Sequence, residues 1–290
     1  MTPPAPPPRA PARAPQQAAA QSAASTARPQ FGKRSPGTQG IRIIDNAVEG
    51  HGKTSMVAFA PNPAIIQVGG ETGYDTLLAA GRVPSVDSVN VQTWSELLAC
   101  VEDSASANYG VLAIDALGGA ERLCHEFICQ RDFRGDWGER GFASFQKGYD
   151  LSLTEWMGLL SRLDRVRMTG THIVLLSHVK VATFKNPMGA DFDRYVADCH
   201  PKTWGVSHKW ADAVLFGTFI SVIETDTRGN KAVSLKKGKA IGGIDRVFYT
   251  EHHEAYDAKN RYGMSSVIDV PADPAQVWST IMAAMNRKEQ

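Results

Sequence analysis

Cysteine is scarce in this sequence, and the few cysteines do not form a metal-binding pattern. The four are Cys100, Cys124, Cys129 and Cys199, and no two of them make a CxxC pair. The histidines beside them do not complete two well-spaced ligand pairs, which a structural zinc site requires. We therefore expect reduced, mostly buried thiols and no zinc centre.

The sequence also lacks a long apolar run and an excess of charge of either sign. It has 31 lysines and arginines against 30 aspartates and glutamates, for a net charge of +1. No run of about 18 apolar residues that could span a bilayer is present, and no signal-peptide core follows the first residues. These absences predict a soluble cytoplasmic protein with no membrane partner, on which any nucleic-acid surface is a local patch.

Large apolar side chains are almost missing from residues 1–40, which consist mainly of Pro, Ala, Gln, Ser and Arg. Such a segment cannot bury enough surface to offset the entropy of ordering it, so we predict a disordered tail. A mitochondrial transit peptide is the alternative, but five prolines among the first eight residues oppose an amphipathic helix. The folded domain is predicted to occupy residues 41–290.

The first apolar segments of this domain predict a βαβ unit. Ile41–Asp45 is a short, mainly β-branched strand, and Lys53–Ala60 has a helical pattern that ends at Pro61. A second buried strand is predicted over Ala64–Val68. A helix that connects two parallel strands makes a right-handed crossover.

Strands and helices continue to alternate along the middle of the chain. The predicted helices are Thr93–Asp103, Ala120–Ile128 and Leu151–Val166, the predicted strands are Gly110–Asp115 and His172–Ser177, and Gln130–Gly148 is a predicted loop. Continuous apolar strands between amphipathic helices are typical of an α/β fold whose mostly parallel central sheet is covered by helices on both faces.

The C-terminal part has a different pattern. Ala213–Glu224 and Ala232–Lys237 are predicted to form a β-hairpin, with a further strand over Arg246–Thr250 and a closing helix over Pro274–Asn286. We interpret this part as a C-terminal β-hairpin extension of the same sheet and not as a second domain.

The loop between the first strand and the first helix has the composition of a phosphate-binding loop. Its predicted nucleotide-binding residues are Glu49, Gly50, His51, Gly52, Lys53, Thr54 and Ser55. Glycines let backbone N–H groups turn towards an anion, a lysine reaches the terminal phosphates, and a hydroxyl helps to hold Mg²⁺. Ala47 stands where this pattern has its first glycine, a substitution that is tolerated only if φ is negative there.

Three further polar residues are predicted to lie at the ends of strands near this loop. Asp115 follows a buried strand and, with Thr54, is predicted to hold Mg²⁺. Glu71 follows the second strand and is the candidate base, although a solvent-exposed turn glutamate fits the spacing equally well. His178 ends a core strand and is a candidate sensor of the γ-phosphate, with a buried structural histidine as the alternative. ATP and Mg²⁺ are the predicted cofactors.

With these residues in order, the chain resembles the phage nucleotide-binding ATPases related to RecA, in particular the small single-strand annealing ATPases often called Sak-four. The resemblance runs from about Ile41 to Val270 and rests on six features. They are the phosphate loop, the turn Glu71–Gly73, Val111–Asp115, Gly148 and Tyr149 at the start of a long helix, Leu176–His178 and, most distinctively, Asp257–Gly263. It implies a RecA-like P-loop NTPase fold with Lys53, Glu71 and His178 in catalytic roles.

The resemblance also implies an oligomeric ring or filament in which basic residues of one subunit complete the ATP site of the next. Lys236, Lys237 and Lys239 are the candidates for this role, with a solvated cluster as the alternative. Single-stranded DNA is the implied partner, and a phage or host single-strand-binding or replication protein is a second one. DNA would bind to mobile loops, for which the segments 130–147 and 180–202 are the candidates. Their candidate DNA-binding residues are Arg131, Arg134, Trp137, Arg140, Lys147, Lys185 and Arg194.

The sequence thus favours a DNA-stimulated ATPase that acts in phage DNA annealing or homologous recombination. Three alternatives stay open: a protein-remodelling ATPase such as a helicase loader or packaging motor, a nucleoside or nucleotide kinase, and a nucleotide-bound module that does not hydrolyse ATP.

Overall fold

A computed structural model describes residues 39–224 and 239–285 of the chain. Six strands of its sheet are β1 (Arg42–Ala47), β2 (Pro63–Val68), β3 (Asp87–Val91), β4 (Val111–Asp115), β5 (His172–Phe184) and β6 (Phe192–Ala197). The C-terminal strands are β7 (Ala213–Glu224), β8 (Lys239–Tyr249), β9 (Lys259–Asn260) and β10 (Val267–Val270). The helices are α1 (Lys53–Ala58), α2 (Gly73–Ala79), α3 (Trp94–Ser104), α4 (Leu117–Phe133), α5 (Lys147–Arg167), α6 (Pro201–Trp210) and α7 (Val277–Ala284).

The main path of the sheet has the order β10-β8-β7-β1-β5-β4-β2-β3. The six strands from β7 to β3 are parallel, whereas β8 and β10 are antiparallel to their neighbours. Strand β5 therefore lies between β1, which leads into the glycine loop, and β4, which ends in Asp115. This arrangement confirms the predicted α/β fold with a mostly parallel central sheet.

Helices cover both faces of the sheet, as the apolar strands require. On one face, α1 and α7 pack through Met56 and Trp278 on residues such as Ile43 and Leu176. On the other face, α3, α4 and α5 pack on Ile44, Ile114 and Leu175. Because adjacent residues of a strand point to opposite faces, each central strand contributes to both cores.

The C-terminal strands differ from the prediction. The predicted second hairpin strand, Ala232–Lys237, lies outside the described residues, and β8 begins at Lys239 and runs without a break to Tyr249. The strand expected over Arg246–Thr250 is therefore the end of β8, which pairs with β7 along its length. The predicted extension is present as this antiparallel pair, and α7 forms the predicted closing helix.

Two segments expected to be loops are partly regular structure. Helix α4 extends to Phe133 and so includes Arg131, which shortens the first loop to about residues 134–146. The segment 180–202 is the second half of β5, its antiparallel partner β6 and the start of α6. Residues Phe192–Ala197 pair with β5 in antiparallel orientation, so the prediction of a loop over this segment was wrong.

The segment Asp257–Gly263, singled out by the resemblance, has a structural role. The Nζ atom of Lys259 donates hydrogen bonds to the carbonyl oxygens of His208, Lys209 and Ala211 at 2.8, 3.0 and 2.7 Å. These carbonyls lie at the C-terminal end of α6, where backbone acceptors lack helical partners. Arg261 pairs with Asp212 at 3.3 Å. The segment thus fixes the end of α6 against the start of β7.

Three further properties of the described residues concern the cysteines, metal ions and membranes. All four cysteines are free thiols, and no group of three or more His, Cys, Asp or Glu side chains suited to a metal ion occurs between residues 39 and 224 or between 239 and 285. Within the same ranges, no helix has both the length and the apolar character needed to cross a bilayer.

Candidate active site

The glycine loop connects the C-terminal end of β1 to α1 and places its functional side chains in the first turn of that helix. Gly50 and Gly52 have φ values of 74° and 100°, which glycine adopts without steric strain. Lys53 is buried, whereas Thr54 and Ser55 are partly exposed. The two glycines therefore set the backbone conformation of the loop.

Lys53 folds back over the end of β1. Its Nζ atom donates hydrogen bonds to the carbonyl oxygens of Ala47 and Val48 at 3.0 and 3.1 Å. Burial lowers the pKa of Lys53, and the nearby carboxylates of Asp45, Asp115, Glu49 and Glu71 act in the opposite direction. Because Lys53 is largely removed from water, its electrostatic attraction to an anionic ligand such as a polyphosphate is strong.

A hydrogen bond joins Thr54, in the first turn of α1, to Asp115, the last residue of β4. The Thr54 hydroxyl donates a hydrogen bond of 2.8 Å to Asp115 Oδ2. Asp115 is only 4% exposed, and burial raises the pKa of its carboxyl group. A hydroxyl beside a carboxylate at the phosphate loop is a donor set of hard oxygens, which suits Mg²⁺. These two residues fit the predicted metal-binding role.

Glu71 and His178 lie together on the same side of the loop. His178 Nε2 is 3.9 Å from Glu71 Oε1, and each side chain is about a third exposed, at 36% and 37%. Both act electrostatically on Asp115. The pairing of Ala47 with His178 in the β1–β5 ladder explains why His178 reaches the loop. The sheet thus brings Lys53, Thr54, Asp115, Glu71 and His178 to one edge.

Ala47 fits because a glycine faces it on the next strand. Ala47 is the last residue of β1 and has no positive φ. Its partner in β7 is Gly217, where an added Cβ atom would lie 2.6 Å from the Ala47 Cβ and 2.7 Å from the His51 ring. Ala47 therefore avoids the positive φ that would exclude alanine at this position, and Gly217 leaves space for the Ala47 methyl group.

Arg246 of β8 braces the loop and was not found by sequence reasoning. It donates hydrogen bonds to the carbonyl oxygens of His51 at 2.8 Å and Pro271 at 2.7 Å. A Cβ atom on Gly52 would lie 2.6 Å from Arg246 Nη1, so the guanidinium group packs directly on the loop. The bonded residues are 195 positions apart in the sequence, so no local sequence pattern predicts this contact.

A cleft of about 490 Å³ opens over the loop. Besides His178 and the loop residues, it is lined by Leu77, Arg82, Phe219, Arg246, Ala272 and Pro274. The Arg82 side chain is exposed and makes no ion pair or hydrogen bond with the other described residues, whereas its backbone N–H donates to the Leu77 carbonyl oxygen at 2.9 Å. The cleft therefore combines cationic groups with apolar walls, which suits a nucleotide.

The three candidate trans-acting lysines are not tested by this structure. Lys236 and Lys237 lie outside the described residues. Lys239 is the first residue of β8, where its backbone pairs with Glu224. Their role stays a prediction.

The candidate DNA-binding residues differ in how free their side chains are. Arg131 pairs with Glu155 at 2.5 Å and Lys185 with Asp191 at 2.6 Å. Arg194 is 14% exposed and pairs with Asp257 at 2.6 Å. Four others are exposed in or beside the first loop: Arg134, Trp137, Arg140 and Lys147.

The sequence was compared with known families and proteins. A family model described as an AAA domain (AAA_24) matches residues 39–262, which is well over half of the chain. The chain belongs to this AAA domain family. The match includes every residue of the phosphate loop together with Glu71, Asp115 and His178, so the family assignment and the geometry indicate the same P-loop ATPase fold.

Among solved structures, the AAA-domain chain is similar to the flagellar accessory protein FlaH from Methanocaldococcus jannaschii. The two share 11% sequence identity, and the alignment covers 80% of this chain and 85% of that one with a TM-score of 0.36. The sequence matches no curated protein.

The contact between Ala47 and Gly217 can be tested by a double-mutant cycle. Gly217→Ala is expected to lower the free energy of unfolding by about 1–3 kcal/mol, because the new methyl group overlaps Ala47 and the His51 ring. It should also weaken nucleotide binding, since His51 belongs to the loop. Ala47→Gly in the same chain should restore part of both losses. Denaturant unfolding and nucleotide titration of the four proteins measure the coupling, and strictly additive effects would contradict the contact.

Proposed function

We propose that this AAA-domain protein is an ATP-hydrolysing, single-stranded DNA-binding protein that promotes DNA annealing or homologous recombination. The observation that carries the enzymatic part is the convergence of Lys53, the Thr54–Asp115 pair and the Glu71–His178 pair at one edge of the sheet. Those groups match the requirements of phosphoryl transfer, namely phosphate binding, metal binding and activation of water.

In the proposed reaction, Lys53 and the backbone of the loop bind the β- and γ-phosphates. Thr54 and Asp115 would hold Mg²⁺, which would supply positive charge to stabilise the phosphate oxygens. Glu71 orients a water molecule towards the γ-phosphorus and accepts its proton while the new P–O bond forms and the bond to the β-phosphate oxygen breaks. The products are ADP and inorganic phosphate.

His178 is positioned to assist Glu71. Its Nε2 atom is 3.9 Å from the Glu71 carboxylate, close enough for a small shift to produce a hydrogen bond. The pairing of β5 with β6 also begins at His178, where the Asp198 N–H donates a hydrogen bond of 2.8 Å to the His178 carbonyl oxygen. The proposed γ-phosphate sensor is thus joined through the backbone to the antiparallel pair of β5 and β6.

The proposed DNA-binding surface is the loop between α4 and α5, residues 134–146, together with Lys147 at the start of α5. Its base is anchored by Phe142, which is 1% exposed and packs on Ile128 and Cys129. At its surface, Trp137 is 48% exposed and Phe145 is 101% exposed. Burial normally stabilises aromatic side chains, so a fully exposed phenylalanine beside exposed cations favours stacking on unpaired bases.

A protein partner is the second candidate for this surface, because exposed Trp137 and Phe145 also suit an apolar protein patch. In that case the chain is a protein-remodelling or replication-associated ATPase.

As part of the main proposal, the protein assembles as a homo-oligomer in which Lys236, Lys237 and Lys239 approach the neighbouring subunit's site. Arg82, which already lines the cleft, is an additional cation within the same chain.

Steady-state hydrolysis with and without single-stranded DNA tests the enzymatic proposal. Single-stranded DNA should stimulate ATP hydrolysis by the wild-type protein. Glu71→Gln should lower kcat by about 10²–10³-fold with little change in ATP affinity, because it removes only the base. Asp115→Asn should abolish the response to Mg²⁺. Hydrolysis that is unchanged in Glu71→Gln would exclude Glu71 as the base, and hydrolysis that never responds to DNA would favour the protein-remodelling candidate.

Fluorescence anisotropy with a labelled oligothymidine tests the DNA-binding loop. The combined change Arg134→Ala and Arg140→Ala should reduce the slope of log Kd against log salt by about 1.4, since each lost phosphate contact on single strands contributes about 0.7. Phe145→Ala should cost about 1–3 kcal/mol of binding through lost stacking.

Two exposed residues of α5 and its end serve as matched controls for these changes. Arg165 is 66% exposed in its side chain and Met168 is 61% exposed, and both lie outside the loop. Arg165→Ala and Met168→Ala should bind DNA like the wild type. If the loop variants and these controls behave alike, DNA binds elsewhere on the protein.

A further inference from the structure

Asp45 is a buried acid for which the proposed reaction has no use. It is the fourth residue of β1 and is 0% exposed. Within the described residues, neither of its carboxylate oxygens has a hydrogen-bond partner. Burying a charged group without a partner is costly, so such a residue needs an explanation other than packing.

The position itself is one where the fold favours an apolar residue. In the sheet, Asp45 pairs with Leu176 of β5 and with Leu215 of β7. Its neighbour on the same face of β1, Ile43, packs in the core beneath α1. A leucine at residue 45 would continue that apolar layer. Conflicts of this kind between a residue and its environment are concentrated at functional sites.

The charged groups around Asp45 belong to the phosphate loop and the metal site. Lys53 attracts its carboxylate, Asp115 repels it, and burial outweighs both and raises the pKa of Asp45 to about 7. Lys53 in turn lies in the fields of Glu49 and Glu71 as well as of the two aspartates. Its ammonium group is held by the carbonyl oxygens of Ala47 and Val48, which follow Asp45 in the chain by two and three residues.

We propose that Asp45 is a positioning residue that controls where the Lys53 ammonium group lies. When Asp45 is ionised, it draws Lys53 towards the end of β1, and when it is protonated, Lys53 is free to bind the nucleotide phosphates. The inference rests on the proposed nucleotide-binding role of the loop. It identifies Asp45 as the group that competes with ATP for the lysine.

The direction of the pH dependence follows from this competition. Phosphate groups beside Asp45 disfavour its anionic form, so the nucleotide-bound protein holds a proton on Asp45 more tightly than the free protein. Nucleotide binding therefore takes up a proton, and by linkage the affinity falls as pH rises through neutrality. Glu49, Glu71, Asp115, His51, His178 and Arg246, which also lie around the loop, are the same in wild type and Asp45 variants, so a comparison isolates Asp45.

The test is the Kd of a non-hydrolysable ATP analogue with Mg²⁺, measured between about pH 6.5 and about pH 8.5. The wild-type Kd should rise by about 3–10-fold over this range. Asp45→Asn, which keeps the shape of the protonated acid, and Asp45→Leu, which matches the neighbouring leucines, should bind at the higher pH as tightly as the wild type does at the lower pH. Asp269→Asn, which changes an exposed aspartate on β10, should retain the wild-type profile.

Calorimetry gives an independent readout that does not need a variant. Titrations near pH 7.5 in buffers of different ionisation enthalpy should show an uptake of up to about one proton per nucleotide by the wild type, and uptake should be lost in Asp45→Asn and Asp45→Leu. Circular dichroism at each pH checks that the variants are folded.

Three outcomes would overturn the inference: a wild-type Kd that does not change with pH, folded Asp45 variants that keep the wild-type pH profile, or variants that bind more weakly at every pH. Failure of the wild type to bind any nucleotide would instead refute the proposed function on which the inference rests, so the two failures are distinguishable.

Discussion

The hydrogen bond from Thr54 to Asp115 is the contact on which the site depends. It joins the first turn of α1 to the end of β4, two strands away from β1 in the sheet, and measures 2.8 Å. It forms only if β1, β5 and β4 end at the same level, which the register through Leu176 ensures, because both Asp45 and Asp115 pair with that residue. If the pairing of β4 with β5 shifted by one residue, the Asp115 side chain would point to the opposite face of the sheet. Parallel pairing therefore sets the geometry of the proposed metal site before any ligand binds.

The same register collects polar side chains in a place where the fold otherwise buries leucine and isoleucine. Asp45, Asp115 and Gln67 lie in one row across the sheet, with Leu176 between the two aspartates. Asp45 and Gln67 have no hydrogen-bond partner for their side chains within the described residues. Burial raises the pKa of both aspartates. Buried polar groups of this kind lower the free energy of unfolding, but their ionisation responds to a charged ligand.

Sequence patterns predicted those parts of the molecule that local physics determines. Apolar runs predicted β1, β2, β4 and the first half of β5. The pattern of Gly50, Gly52 and Lys53 predicted the phosphate loop. Strand β3 was missed because four of its five residues are exposed, which leaves no apolar pattern. The β5–β6 ribbon was missed because its residues are mostly polar or partly exposed, so that composition suggested a loop. Arg246 and Gly217 were missed because their effect on the loop arises only from tertiary packing, across 195 residues in the case of Arg246.

Equilibrium titration with a fluorescent ATP analogue tests whether the loop around Lys53 binds the phosphates of a nucleotide. The wild type is predicted to bind the analogue in a Mg²⁺-dependent manner. Lys53→Ala should weaken binding by at least about tenfold, or about 1.4 kcal/mol, and Lys202→Ala, at a lysine that pairs with Asp150 on the helical layer, should leave it unchanged. Equal affinities of the wild type and Lys53→Ala, with both proteins folded, would contradict the assignment of the phosphate loop.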